Sequence, residues 1–227
     1  SKGRPSEERG LMVLNVNTFN NGNFAIPFLS ALVSSDTFAA MGVYDLGSAF
    51  FTFGPNIALA QKAMERGDQK VTLAAILRKT FTTPTIWAYI IMLLLNALRW
   101  QLPELAMDVI SMAGSANAFL AMLCVGILFE FRLPKSGYGV IAQTLIVRYT
   151  LCALFAGALW FFLPAPAETV RTLVVMTMAP VASCATIITV EAGCDGTMSA
   201  VINSISIVVS IILMVLLLLL LPMPVRG

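Results

Sequence analysis

The sequence predicts an all-α integral membrane protein with about seven transmembrane helices, and three observations predict it. Hydrophobic residues make up 58% of the 227-residue chain and charged residues only 11%. Soluble domains run near about 45–50% and about 25%, so the charged surface here is too scarce to coat a globule. Seven stretches approach the roughly 20 apolar residues that a spanning helix needs. Lysine and arginine gather on alternate connections, as the positive-inside rule requires.

Taken in order, the stretches cover residues 11–33, 38–60, 84–98, 109–129, 138–163, 170–190 and 197–221. The third is short, but Trp87 and Trp100 bracket it as interface anchors would. Residues 1–10 read as a charged loop without the order of a secretory signal peptide, and the chain is expected to be the back part of a longer protein. Most connections are tight. Only the one after residue 60 is long, and its segment 71–81 (VTLAAILRKTF) spaces apolar residues as a short amphipathic surface helix ended by Pro84.

Orientation follows from charge. With the N-terminal loop placed in the cytoplasm, that side holds Lys2, Arg4, Arg9, Lys62, Arg66, Lys70, Arg78, Lys79, Arg132 and Lys135. The other side holds Arg99, Arg171 and Arg226, and seven spans leave the C-terminus outside. The expected location is the cell inner (plasma) membrane. A net charge of +2 gives no reason to expect nucleic acid. The chain has no histidine, and Cys124, Cys152, Cys184 and Cys194 form no C-x-x-C pair, so they read as small buried hydrophobes rather than metal ligands. No nucleophile–base pair is visible, and the chain is not expected to be an enzyme.

The first and sixth stretches are not ordinary lipid-facing helices. The first carries Asn15, Asn17, Asn20, Asn21 and Asn23 with Gly22 and Pro27 at membrane depth. Asparagine and glycine are poor helix formers, and an interior proline costs about 3 kcal/mol. Such a run is tolerable only against protein or a water-filled cavity, with the backbone locally unwound. The sixth has Pro180 in mid-span among Thr177, Ser183, Thr186 and Thr189. Each stretch is followed by a tight turn containing Asp36 or Asp195, then Thr37 or Thr197 opens an apolar helix. A shift of 160 residues superposes the turns and sets Asn20 opposite Pro180. The odd number of helices between the copies makes them run in opposite directions. An inverted pair of interrupted helices points to a secondary transporter with its site at the repeat interface.

The stretch Asn20-Asn21-Gly22-Asn23-Phe24-Ala25-Ile26-Pro27 resembles the N-T-G-x-x-G-[IL]-P signature of the auxin efflux carrier family, which includes plant auxin carriers and bacterial permeases for malonate, malate and similar anions. The resemblance extends through Tyr44-Asp45-Leu46, Arg148, Pro180 and Glu191-Ala192-Gly193. It implies an inverted five-plus-five helix repeat with two broken crossover helices, of which this chain holds spans four to ten. Residues 1–83 would be the C-terminal part of the first repeat, with two spans and a linker, and 84–227 the complete second repeat. Departures are visible: Asn21 replaces Thr, Ala25 replaces Gly, Ser183 stands where the second motif has Asn, and Phe119 where members often have proline.

The function implied is secondary active transport of a small organic anion, by alternating access, with H⁺ or Na⁺ as coupling ion and no other cofactor. A channel-like pore or a non-transporting membrane fragment is the alternative. Expected partners are the anion and the lipid bilayer, with a homodimer left open. Side-chain amides and unwound backbone N–H groups bind carboxylates without burying a permanent charge. Asn20, Asn21 and Asn23, with Gly22 and Pro27 at the break, are therefore candidates from the first repeat, and Ser183 and Thr186 beside Pro180 from the second. Asn117 is a polar outlier in a small-residue stretch, placed between substrate contact and an interhelical hydrogen bond. Arg148 is placed between anion attraction and a structural ion pair. Asp45 could carry a proton, coordinate a cation, pair with Arg148 or cap an unwound backbone.

Overall fold

The computed structural model describes residues 5–64, 81–82, 84–127 and 137–221, and among them all regular structure is helical. α1 (Ser6–Val16) opens inside the stretch read as a loop. Pro5 supplies a preset backbone angle just ahead of it, and Glu7 and Glu8 place negative charge on the first turn, where the helix dipole favours it. The charges that suggested a loop are the ones that suit a helix start.

Residues 17–20 are non-helical. The chain then re-enters as a π turn (Asn21–Ala25), α2 (Ile26–Leu29) and a 3₁₀ turn (Ser30–Leu32). The interruption therefore lies ahead of Pro27 rather than at it. Proline lacks an N–H and its ring crowds the carbonyl four residues back; the widened turn directly before Pro27 accommodates both.

α3 (Ser35–Phe53) and α4 (Pro55–Ala63) replace the single helix expected over 38–60. Gly54, at φ −115° and ψ −92°, turns the chain, and Pro55 starts the new helix, where its missing N–H costs nothing. α5 (Pro84–Ala97), α6 (Glu104–Ile127) and α7 (Tyr138–Phe162) follow. Residues 71–80 of the expected surface helix lie outside the described residues. α8 (Ala167–Met176) and α9 (Cys184–Glu191) flank an unwound stretch around Pro180, which is the second interruption in its expected place. α10 (Gly196–Leu220) closes the described chain.

The turn between α9 and α10 depends on Gly193, at φ 72°. Its N–H reaches Val190 O at 2.9 Å and that of Cys194 reaches Thr189 O at 3.0 Å, closing the helix end in the left-handed conformation that glycine adopts freely. Asp195 then caps α10 by accepting the Met198 N–H at 3.1 Å, and Ser34 caps α3 by accepting that of Thr37 at 3.4 Å. Gly193→Ala is expected to lose about 1–2 kcal/mol of stability. A thermal scan of the purified protein checks this; an unchanged midpoint would remove the left-handed turn from the account.

α7 and α10 are long and apolar enough to cross a membrane, and Ile86–Leu95 is a shorter apolar helix. Phe155, Phe161 and Phe162 on α7 and Leu219 and Leu220 on α10 are exposed, a surface suited to lipid rather than water. Among the described residues two large apolar clusters dominate the core, with a smaller one of Leu14, Ala60 and Ile188. One joins Phe24, Leu29 and Met41 to Cys152, Val175, Met176 and Met214. The other joins Leu11 to Ile141, Val181, Ala185 and Ile202. α7 and α10 run through both, and between the clusters lie the two interruptions.

Candidate functional site

Breaking a helix strands its last carbonyls, and in an apolar interior each must find a donor. At the end of α1, Asn17 N and Nδ2 both donate to Val13 O, at 3.4 and 3.2 Å. Asn56 Nδ2 donates to Leu14 O at 3.4 Å. One terminal nitrogen of Arg148 donates to Asn15 O, Val16 O and Thr18 O, at 3.0, 2.9 and 2.7 Å. The other donates to Ala179 O at 2.8 Å, beyond the end of α8. Arg148 is fully buried, with its guanidinium carbon 4.5 Å from the centre of the Phe19 ring.

A single side chain therefore caps both interrupted helices. The electrostatics close as well. Each helix C-terminus carries about half a negative charge, so two of them offset one guanidinium without a carboxylate. The ion pair with Asp45 that the sequence left open is not formed. Asp45 instead accepts the Tyr89 hydroxyl at 2.5 Å and faces the Gly22 N–H and the Asn21 amide, at the N-terminal side of the π turn, where the helix dipole favours an anion.

The two interruptions also touch directly. Asn20 N–H donates to Pro180 O at 2.9 Å, and Asn20 Nδ2 donates to Ser183 Oγ at 3.2 Å. Beyond Pro180, Val181 N–H is taken by Ser206 Oγ at 2.9 Å. Asn21 is fully buried, yet neither polar atom of its side chain closes a full hydrogen bond. Beside the crossing lies a cleft of about 490 Å³, with Asn17, Tyr44, Ser48, Arg148 and Thr177 among an otherwise largely apolar lining.

Of the residues singled out from sequence, Asn20, Asn21, Gly22, Pro180, Ser183, Asp45 and Arg148 come together here. Asn23 does not: it is exposed, since consecutive positions of a five-residue turn cannot share one face. Pro27 sits inside α2. Asn117 lies on α6, its side chain outside the described residues. Thr186 joins a different cluster, accepting from Ser199 Oγ at 3.4 Å. There Ser199 Oγ also reaches Asn15 Oδ1 at 2.8 Å, and Asn15 Nδ2 lies 3.4 Å from Thr189 Oγ1. That cluster ties α1 to α9 and α10.

Asn56, Tyr89 and Ser199 contribute without having been singled out from the sequence, whereas Ser206 was expected only to face the bundle. Asn56 directly after Gly54-Pro55, and the serines at membrane depth in the last stretch, were the visible signals.

Residues 1–218 match the family model for membrane transport proteins. The chain belongs to that family. It is the auxin efflux carrier family that the Asn20–Pro27 motif resembles, and its members are transporters rather than enzymes. No curated protein and no solved structure matches the chain. For this member of the transport family, the departures at Asn21 and Ser183 fall at the crossing itself: Ser183 accepts from Asn20, and Asn21 is the buried amide without a full partner.

Proposed function

We propose that the chain belongs to a secondary carrier that moves a small organic anion, a mono- or dicarboxylate, by alternating access at the crossing. One observation carries this reading: two interrupted helices meet at their breaks, joined by the Asn20–Pro180 backbone bond. Interrupted helices at membrane depth are tolerated where they line a cavity, and their free backbone ends make ion and substrate sites. The contacting pair is also the pair that the 160-residue shift superposes. A two-fold relation places equivalent residues against each other only at its axis, so the contact supports an inverted repeat with residues 1–83 in one copy and 84–227 in the other.

Within this reading Asn20, Asn21 and Ser183 bind the carboxylate. The cleft beside them is within the about 300–1,000 Å³ usual for small ligands. Arg148 raises the local potential but keeps its two terminal nitrogens on carbonyls, so its main role is to hold the two breaks. The N-terminus is placed in the cytoplasm and the C-terminus outside, in the cell inner membrane, with H⁺ or Na⁺ as the coupling ion.

Counter-flow uptake of labelled malonate, malate and an indole acid into proteoliposomes holding the protein tests the reading. Saturable uptake, stimulated by unlabelled anion inside, is expected for one of them. Uptake that neither saturates nor responds to internal anion would indicate a pore, and uptake of none would end the carboxylate assignment.

A further inference from the structure

We propose that Asp45 is the proton-binding residue of the carrier, and that its proton sets how firmly the first interruption is tied to α3 and α5. This rests on the reading of the chain as an organic-anion carrier.

Among the described residues, the groups recorded beside Asp45 are neutral. Tyr89 donates its hydroxyl from α5. The π turn presents the Gly22 N–H and the Asn21 amide. The preceding residue, Tyr44, is in electrostatic reach of both Asp45 and Arg148, but Arg148 has its terminal nitrogens on four carbonyls. A charged carboxylate at membrane depth without a cation is costly, and the hydroxyl bond from Tyr89 with the nearby Gly22 N–H offsets only part of that cost. Protonation removes it. The approach is close by construction: a Cβ at Gly22 would lie 3.2 Å from Asp45 Oδ2, so the glycine admits the carboxylate to the backbone.

The consequence for the crossing is mechanical. Hydrogen bonds to a carboxylate are roughly twice as strong as neutral ones. Ionised, Asp45 accepts from Tyr89 and attracts the Gly22 N–H beside it, which holds the π turn against α3 and α5. Protonated, one oxygen carries a hydrogen and turns donor, both attractions weaken, and the turn is released. Asn20 stands one residue before that turn and holds Pro180, so the proton acts on the same joint as the substrate. The balance is one proton bound to a carboxylate oxygen from one side and released to the other in each cycle, with no other bond made or broken.

The test compares the wild type with Asp45→Asn, a neutral mimic of the protonated acid, in proteoliposomes. Asp45→Asn is expected to lose accumulation driven by an imposed pH gradient, read as a ratio to the variant's own counter-flow of the labelled anion. Gradient-driven accumulation equal to wild type would overturn the proposal. A second arm needs no substrate: infrared difference spectra between acid and alkaline pH should show a carboxylic C=O band that Asp45→Asn removes. Tyr89→Phe should move its titration to higher pH, because losing a donor to the carboxylate disfavours the charged form. No Asp45-dependent band across the titration would equally overturn it. Should the wild type carry no anion while the band titrates as expected, the organic-anion reading fails and the proton site at Asp45 stands.

Discussion

Arg148→Lys is expected to destabilise the protein severely although it conserves the charge. The guanidinium reaches carbonyls of both interruptions at once, through three bonds from one nitrogen and one from the other. An ammonium is a single point with three donors and cannot sit at both ends of that span. Losing two of the four bonds leaves two buried carbonyls unsatisfied, at about 1–3 kcal/mol each. That is a large share of the about 5–15 kcal/mol that holds a typical domain folded. At about 2–4 °C per kcal/mol for a chain of this size, the thermal midpoint should fall by on the order of 10 °C, read from tryptophan fluorescence of the purified protein. If Arg148 served only to attract an anion, lysine would keep the midpoint and lower transport alone.

Asn20→Ala is expected to do the reverse, cutting uptake sharply while membrane insertion and stability persist. Its backbone bond to Pro180 O survives the substitution, and the only side-chain bond lost is that to Ser183, worth about 1 kcal/mol. A hydrogen bond from the same amide to a carboxylate substrate is worth about 1.5–3 kcal/mol, so transport should fall by about 10- to 100-fold. Surface expression and uptake measured on the same cells check both halves. Wild-type rates in the variant would reduce Asn20 to a residue that only joins the two breaks.

Much of this arrangement was legible in the sequence. The helices at 84–97, 138–162 and 196–220 follow from apolar length, and the second break follows from Pro180 among small hydroxylated residues. The opposition of Asn20 and Pro180 came from matching turns and is a direct contact in the fold. What could not be read was the choice of partners. Every residue has a backbone carbonyl, so nothing in a sequence marks those of Asn15, Val16, Thr18 and Ala179 as the acceptors of Arg148; an Asp at membrane depth suggested an ion pair instead. The position of the first break was hidden for a related reason. Pro27 is the loudest local signal, but a π turn absorbs it, and the chain unwinds where Arg148 can take its carbonyls. The Asn15–Thr189–Ser199 cluster joins residues more than 170 positions apart, a separation that no local pattern reports.

The central claim is that the crossing is a substrate site open to one side of the membrane at a time. Ser183, half-buried beside Asn20, is the position to probe. A Ser183→Cys variant, with Cys124, Cys152, Cys184 and Cys194 replaced, would be labelled by a membrane-impermeant thiol reagent applied to either face of oriented vesicles. Labelling from one face at a time, switched by the imposed gradient and blocked by the transported anion, is the result the account predicts. Labelling from both faces at once, or labelling indifferent to the anion, would contradict it.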